Sequence, residues 1–226
     1  MSNSPSDGHY NRRVRVLREF IPIAVVAILF AGCASFGPYH ADSSDHPFNS
    51  VRGPKDGRYQ LAFIEFGDQG SPLDNSQRKA ALEVIRRAER PLLFVYIHGW
   101  QNNANSGDVC KFEHFLDTVS SFPEVAGQKA NVIGVYIAWR GKDLTIPGLN
   151  LLTFYSRKAV GGQIAAQNSC LATINELALA AREPSKKLHH CILIGHSFGA
   201  LLLGNTYRRT LSGGTADYGA TTPSRC

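Results

Sequence analysis

The chain is 226 residues long, the length of one large domain or two small ones, and 43% of it is hydrophobic, enough for a sizeable core. Five cysteines are too few for a disulfide scaffold, and no repeat, heptad run or collagen-like period is present. The formal charge of +6 falls when the first 33 residues are set aside. What remains is 20 basic against 16 acidic side chains, spread as short pairs such as Arg86-Arg87 and Lys186-Lys187. That is an ordinary solvated surface and excludes a nucleic-acid stripe.

The first element is a targeting segment. Arg12, Arg13, Arg15 and Arg18 precede an apolar run from Phe20 to Ala31, which ends in Gly32-Cys33. A basic flank, a short apolar stretch and small residues at its end describe a secretory signal whose positive side stays cytoplasmic. Phe30-Ala31-Gly32-Cys33 resembles the lipobox of bacterial lipoproteins, which implies lipidation of Cys33. An uncleaved anchor over Phe20 to Phe36 and a plain cleaved signal are the two other readings. The expected localisation is the bacterial cell envelope, with the domain membrane-anchored and outside the cytoplasm. The expected organisation is a signal or anchor over 1–33, a polar tether over 34–57, the folded domain over 58–211 and a low-complexity tail over 212–226.

Tyr59–Phe66 alternates and is rich in aromatic residues, which predicts a strand. Gly67 to Asn75 is a turn region, and Ser76 to Ala88 carries Ala81, Val84 and Ile85 at helical spacing. Leu92–Ile97 is a continuous apolar run, the pattern of a strand buried on both faces. After the polar loop Gln101–Asp108, Phe112, Phe115, Leu116 and Val119 predict a helix over Val109–Phe122. Val132–Ala138 and His190–Ile194 are two more buried strands. Between them lies a long Ala-rich helical pattern, Phe154–Arg182, interrupted at Gly161-Gly162. Phe198–Leu211 is the last helix. Strands alternating with helices imply an α/β fold with a mostly parallel sheet and helices on both faces.

The chemistry is carried by Gly195-His196-Ser197-Phe198-Gly199, which fits G-x-S-x-G between a buried strand and an apolar helix. Such a turn is tight enough to need glycine at both ends, and it projects the serine at the carboxyl end of the sheet. His98-Gly99-Trp100 closes the earlier buried strand, and Gly99 allows that backbone a close approach. Tyr96-Ile-His-Gly-Trp100 followed by Gly195-His-Ser-Phe-Gly199 resembles the α/β-hydrolase superfamily, in particular its bacterial serine esterase- or lipase-like members, over residues 59–211. The resemblance implies Ser197 as nucleophile, with the backbone N–H groups of Phe198 and Trp100 as oxyanion donors. His98, Gly99, Gly195, His196 and Gly199 support them. On that family's strand order, 91–97 is the third strand, 132–138 the fourth and 188–194 the fifth.

One part of the family pattern is missing. Its triad runs serine, acid, histidine, but no histidine follows Ser197, and the single acid there, Asp217, sits in a tail without an apolar run. Without a base the serine hydroxyl is a weak nucleophile. The expectation is therefore a truncated, frameshifted or fragmentary hydrolase sheet, ending after the elbow helix, with activity on carboxylic esters absent or impaired.

Of the other histidines, His98 is expected to orient its loop, His196 to fill the elbow, His114 to lie on the surface and His189-His190 to open a strand at the far end. Cys191 reads as a core residue, and Cys110 and Cys170 are a pairing the sequence leaves open. Adjacent strand residues point to opposite faces, so His189, His190 and Cys191 cannot converge on a metal. No metal and no cofactor are expected. Trp139-Arg140-Gly141, with Ile146–Phe154, reads either as a substrate-facing cap or as a packed crossover. Gln101–Asn105 is expected to fix the loop after the third buried strand through side-chain-to-backbone bonds. The expected partners are a small-molecule or lipid ester and the membrane, with no nucleic acid. Two functions compete: a membrane-tethered serine esterase and a non-catalytic envelope module that only binds.

Overall fold

The structure is a computed structural model and describes residues 37–42, 49–141, 154–187 and 189–212. The targeting segment with Cys33, residues 142–153 and the tail with Asp217 and Cys226 lie outside the described residues. Among the described residues no helix is long and apolar enough to cross a membrane.

The strands are β1 (Val51–Arg52), β2 (Tyr59–Phe66), β3 (Pro91–Ile97), β4 (Asn131–Trp139) and β5 (His190–Gly195). They form one sheet in the order β1-β2-β4-β3-β5. β1 is antiparallel to β2, and β2, β4, β3 and β5 run parallel. The helices are α1 (Asn75–Arg87), α2 (Gly107–Ser120), α3 (Pro123–Gly127), α4 (Phe154–Ala166), α5 (Asn168–Ala181) and α6 (Phe198–Ser212). The fold is α/β, as the alternation in the sequence implies.

Each central strand is buried on both faces, and its alternate residues feed two separate cores. Ile64 and Phe66 of β2, Val95 and Ile97 of β3, and Val135 and Ile137 of β4 pack with Ile85 of α1, Ile164 of α4, Ile174 and Leu177 of α5 and Leu202 of α6. The intervening residues Leu61, Phe63, Phe94 and Tyr136 meet Val109, Phe112 and Leu116 of α2. α2 lies so close to the sheet that a side chain on Gly134 of β4 would overlap Leu116.

Two expectations need correcting. The long helical pattern over Phe154–Arg182 is two helices, and the break falls at Gln167 rather than at Gly161-Gly162. Gln167 takes an extended conformation (φ −81°, ψ 138°) where the turn after β2 docks. There the Ser169 hydroxyl bonds the Gly70 carbonyl, and Gly70 (φ +77°) has no room for a side chain against Gln167. The stretch 34–57, read as a polar tether, is packed onto the domain where it is described. Tyr39 and His40 donate their backbone N–H groups to the buried Glu65 carboxylate at 3.0 and 2.9 Å. The His40 ring stacks on Phe63 with centroids 3.7 Å apart, and Val51–Arg52 pairs with β2.

Candidate active site at the carboxyl rim of the sheet

β5 ends at Gly195 and α6 begins at Phe198, so the chain reverses within two residues. Ser197 pays for this with φ +54°, a left-handed conformation that costs a residue with a Cβ roughly 1–3 kcal/mol. The turn is closed by backbone bonds: His196 N–H to the Ile97 carbonyl at 3.0 Å, Gly199 N–H to His196 at 2.8 Å and Ala200 N–H to Ser197 at 3.0 Å. Both glycines are sterically required. A Cβ on Gly195 would lie 2.5 Å from the Ala200 Cα, and one on Gly199 would overlap the Ile97 carbonyl oxygen. The Ser197 residue is exposed.

The loop after β3 runs directly against this turn. A Cβ on Gly99 would sit 2.9 Å from both the Ser197 Cβ and the His196 carbonyl oxygen. The backbone N–H of Phe198 is the first of α6 and has no acceptor within its helix. Neither it nor the Trp100 N–H donates a hydrogen bond among the described residues. Trp100 follows Gly99, whose backbone packs against Ser197, and Phe198 follows Ser197 itself, so both N–H groups belong to the segments that meet at this turn.

His98 is fully buried and locked at both ring nitrogens. Trp139 N–H donates to Nε2 at 3.0 Å, so Nε2 carries no proton; Nδ1–H then donates to the Gly99 carbonyl at 2.8 Å. The ring lies between Tyr136 and Trp139, and the Trp139 indole N–H returns a bond to the His98 carbonyl at 3.1 Å. Burial pushes its pKa down to about 4, partly offset by the bond to Gly99. Both ring nitrogens of His98 are thus engaged within the loop and the end of β4, and burial favours its neutral form.

No family model matches this chain, and neither does any curated protein or solved structure.

The end of β4 braces the same loop. Gln101, itself at φ +66°, donates its N–H to the Gly141 carbonyl at 3.0 Å, and Gly141 donates to the Asn102 carbonyl at 3.1 Å. Trp139 is buried, so this part of 139–141 is packed crossover rather than cap. The expected side-chain bonds of the polar loop exist one step further on: Asn103 Oδ1 accepts from Asn105 N–H at 2.8 Å, and Ser106 Oγ bonds the Asn103 carbonyl at 2.9 Å. The turn at Gly99–Gln101 itself is held by His98 and Gly141.

Behind the brace lies an ion cluster that spacing in the sequence does not reveal. Arg157 of α4, 5% exposed, donates to Asp68 Oδ1 at 3.0 Å and to the Arg140 carbonyl at 3.0 Å. Arg140 reaches the same carboxylate at 2.5 Å. Burial raises the Asp68 pKa, but the hydrogen bonds from Arg157 and Arg140 outweigh it and hold the group below the usual carboxylate value. The three residues lie 72 and 89 positions apart at the largest separations, and only the packing of α4 on the sheet unites them.

His196 is exposed and lines a cavity of about 340 Å3 with Tyr96, Asp108, Lys111, Phe112 and Ile194. Asp108, in the first turn of α2, accepts the Tyr96 hydroxyl at 2.9 Å and the Tyr136 hydroxyl at 3.2 Å. Burial and this carboxylate hold both tyrosines above their ordinary range. The sequence placed Asp108 at the end of the polar loop, and nothing local reveals its two tyrosine partners. His114 is exposed on α2, and His189 and His190 lie at the amino end of β5, away from Ser197. Cys191 is partly buried against the core, and burial raises its pKa. Cys110, exposed, and Cys170, buried with its thiol pushed up to about 12, are both free. Among the described residues no three His, Cys, Asp or Glu side chains converge as a metal centre, and no side chain hydrogen-bonds the Ser197 hydroxyl.

Proposed function

We propose that the chain is a membrane-associated serine hydrolase of esterase or lipase type, with Ser197 as the nucleophile toward carboxylic esters. The observation that carries this reading is the strained backbone of Ser197 (φ +54°) between two glycines that tolerate no side chain. Strain of this kind collects where function needs it. The resemblance to α/β-hydrolases supports the same reading, with β3, β4 and β5 as the third, fourth and fifth strands of part of such a sheet. Ser197 Oγ attacks the ester carbonyl, and the N–H groups of Phe198 and Trp100 receive the oxyanion. No side chain among the described residues hydrogen-bonds the Ser197 hydroxyl, and a serine without a base is a weak nucleophile. An oxyanion site and binding alone leave roughly 10³–10⁴-fold over water in triad enzymes.

One observation favours a second reading, a non-catalytic envelope-anchored binding module: the Ser197 hydroxyl has no partner among the described residues that would take its proton.

The two readings separate in one experiment. The full chain in detergent is incubated with p-nitrophenyl acetate, with and without imidazole as a replacement base, and intact mass and peptide mass are read. A hydrolase acquires one acetyl group, on Ser197, faster with imidazole, and Ser197→Ala acquires none there. Absence of a Ser197-borne acetyl under both conditions leaves the binding module.

A further inference from the structure

The way residues 39 and 40 are tied down limits how the domain can sit relative to the anchoring segment. Tyr39 and His40 donate to Glu65, the penultimate residue of β2, and His40 Nε2–H donates to the Ala104 carbonyl at 2.8 Å. The Tyr39 hydroxyl accepts from Asn103 Nδ2 at 3.4 Å. Glu65 lies at the carboxyl end of its strand, and Asn103 and Ala104 lie in the loop after β3. The chain therefore enters the domain at the rim that carries Ser197.

The free length before that tie is short. Six residue steps separate Cys33 from Tyr39, and fully extended chain covers about 3.5 Å per step, roughly 20 Å in all. An anchor reaching Phe36 leaves less. The nine residues of β4 alone span about 30 Å at ~3.3 Å each, so the amino rim lies beyond the tether's reach of a bilayer surface. The near rim also has suitable side chains. Tyr155, in the first turn of α4, is 79% exposed, and Leu73, after β2, is 39% exposed. An amphipathic tyrosine suits the headgroup level of a membrane. The basic pairs Arg86-Arg87 and Lys186-Lys187 lie at the opposite rim, at the end of α1 and ahead of β5. Anionic lipid would pull that rim inward, and the short tether opposes it.

We propose that the rim bearing Ser197 and Tyr155 faces the bilayer that holds the N-terminal segment, and that the ester attacked is one carried by a membrane lipid. The orientation rests on the anchoring read from residues 20–33; the substrate rests on the nucleophile proposed above. In the covalent step a bond forms between Ser197 Oγ and the lipid acyl carbon, and the ester C–O bond breaks. The serine proton leaves with the lysolipid alcohol.

Orientation is tested without activity, on the full chain carrying Ser197→Ala, Cys110→Ser and Cys226→Ser in phosphatidylcholine vesicles. A donor dye is placed at Tyr155→Cys or at Gln128→Cys, which lies at the amino rim just before β4, and energy transfer to a headgroup-labelled lipid is read. The expected result is at least twofold higher transfer at position 155. A flexible 20-residue insertion after Ser35 should abolish the difference. Equal or inverted transfer, or failure of the chain to float with the vesicles, overturns the orientation. For the substrate, the Ser197 chain is mixed with phosphatidylcholine vesicles and its mass read. An acyl group on Ser197 is expected. Acetylation by p-nitrophenyl acetate without acylation by lipid overturns the lipid substrate alone, whereas failure of both overturns the nucleophile and leaves the orientation result standing.

Discussion

Gly199 and Gly204 sit five residues apart at the start of one helix, and they respond to the same substitution in opposite ways. The missing side chain of Gly199 lets α6 start against the backbone of Ile97 and His98, where a Cβ has no flexible neighbour to displace. Gly204 has nothing within 4 Å of its absent Cβ among the described residues. Gly199→Ala should therefore destabilise the protein by about 3 kcal/mol or more, since the backbone of β3 must move. Gly204→Ala should stabilise it by about 0.5–1 kcal/mol through helix propensity and unfolded-state entropy. Urea unfolding of the two variants checks both signs. The elbow glycines were legible in the sequence because G-x-S-x-G is local, and its sterics are set by the chain itself. Gly134 was not, because its need for glycine comes from Leu116 on another element.

Among the parallel strands, β5 is the least buried. It pairs with β3 on one side, and among the described residues nothing pairs with its other side. Ile192 is 42% exposed there and Leu201 on the neighbouring α6 43%. An open apolar edge is a template for association. Burying an isoleucine is worth about 1.5–3 kcal/mol, so Ile192→Lys should raise the concentration at which the chain self-associates by roughly tenfold or more. Sedimentation velocity over a dilution series reads it, and an unchanged profile shows that the edge takes no part in association. The apolar run 190–194 identified β5 as a strand, but the register of its pairing with β3 is set by contact between distant segments. The division of α4 from α5 at Gln167 was hidden for a similar reason. Gly161-Gly162 is the stronger local breaker, yet the docked turn at Gly70 decides.

At the scale of the whole molecule, two separate devices make the fold acid-sensitive. The His98 pKa is lowered to about 4 from its ordinary 6.5, so the unfolded chain binds the extra proton between those values. Stability contributed by neutral His98 is fully present above pH 6.5 and is lost as pH falls toward 4, by up to about 3 kcal/mol. The Asp68 pKa is also lowered, so its ion cluster stabilises the protein above the ordinary value of 3.8 and weakens below it. Urea midpoints should therefore drop between pH 6.5 and 4 in the wild type, and His98→Asn, less stable at neutral pH, should show a flatter slope in that window. A slope unchanged by the substitution would assign the titration to another group.

The sequence by itself determined the α/β class, the four parallel strands and the elbow around Ser197, because each depends on patterns within some five to fifteen neighbouring residues. It also showed that no histidine follows Ser197. The tertiary structure decided what depends on contact between distant segments. It joined Asp68, Arg140 and Arg157 around one carboxylate, fixed the tautomer of His98 from Trp139, and bound Tyr39 and His40 to Glu65. A charged or polar residue reads the same in sequence whether it is solvated or paired; only packing, which sets its partner and its dielectric, distinguishes the two.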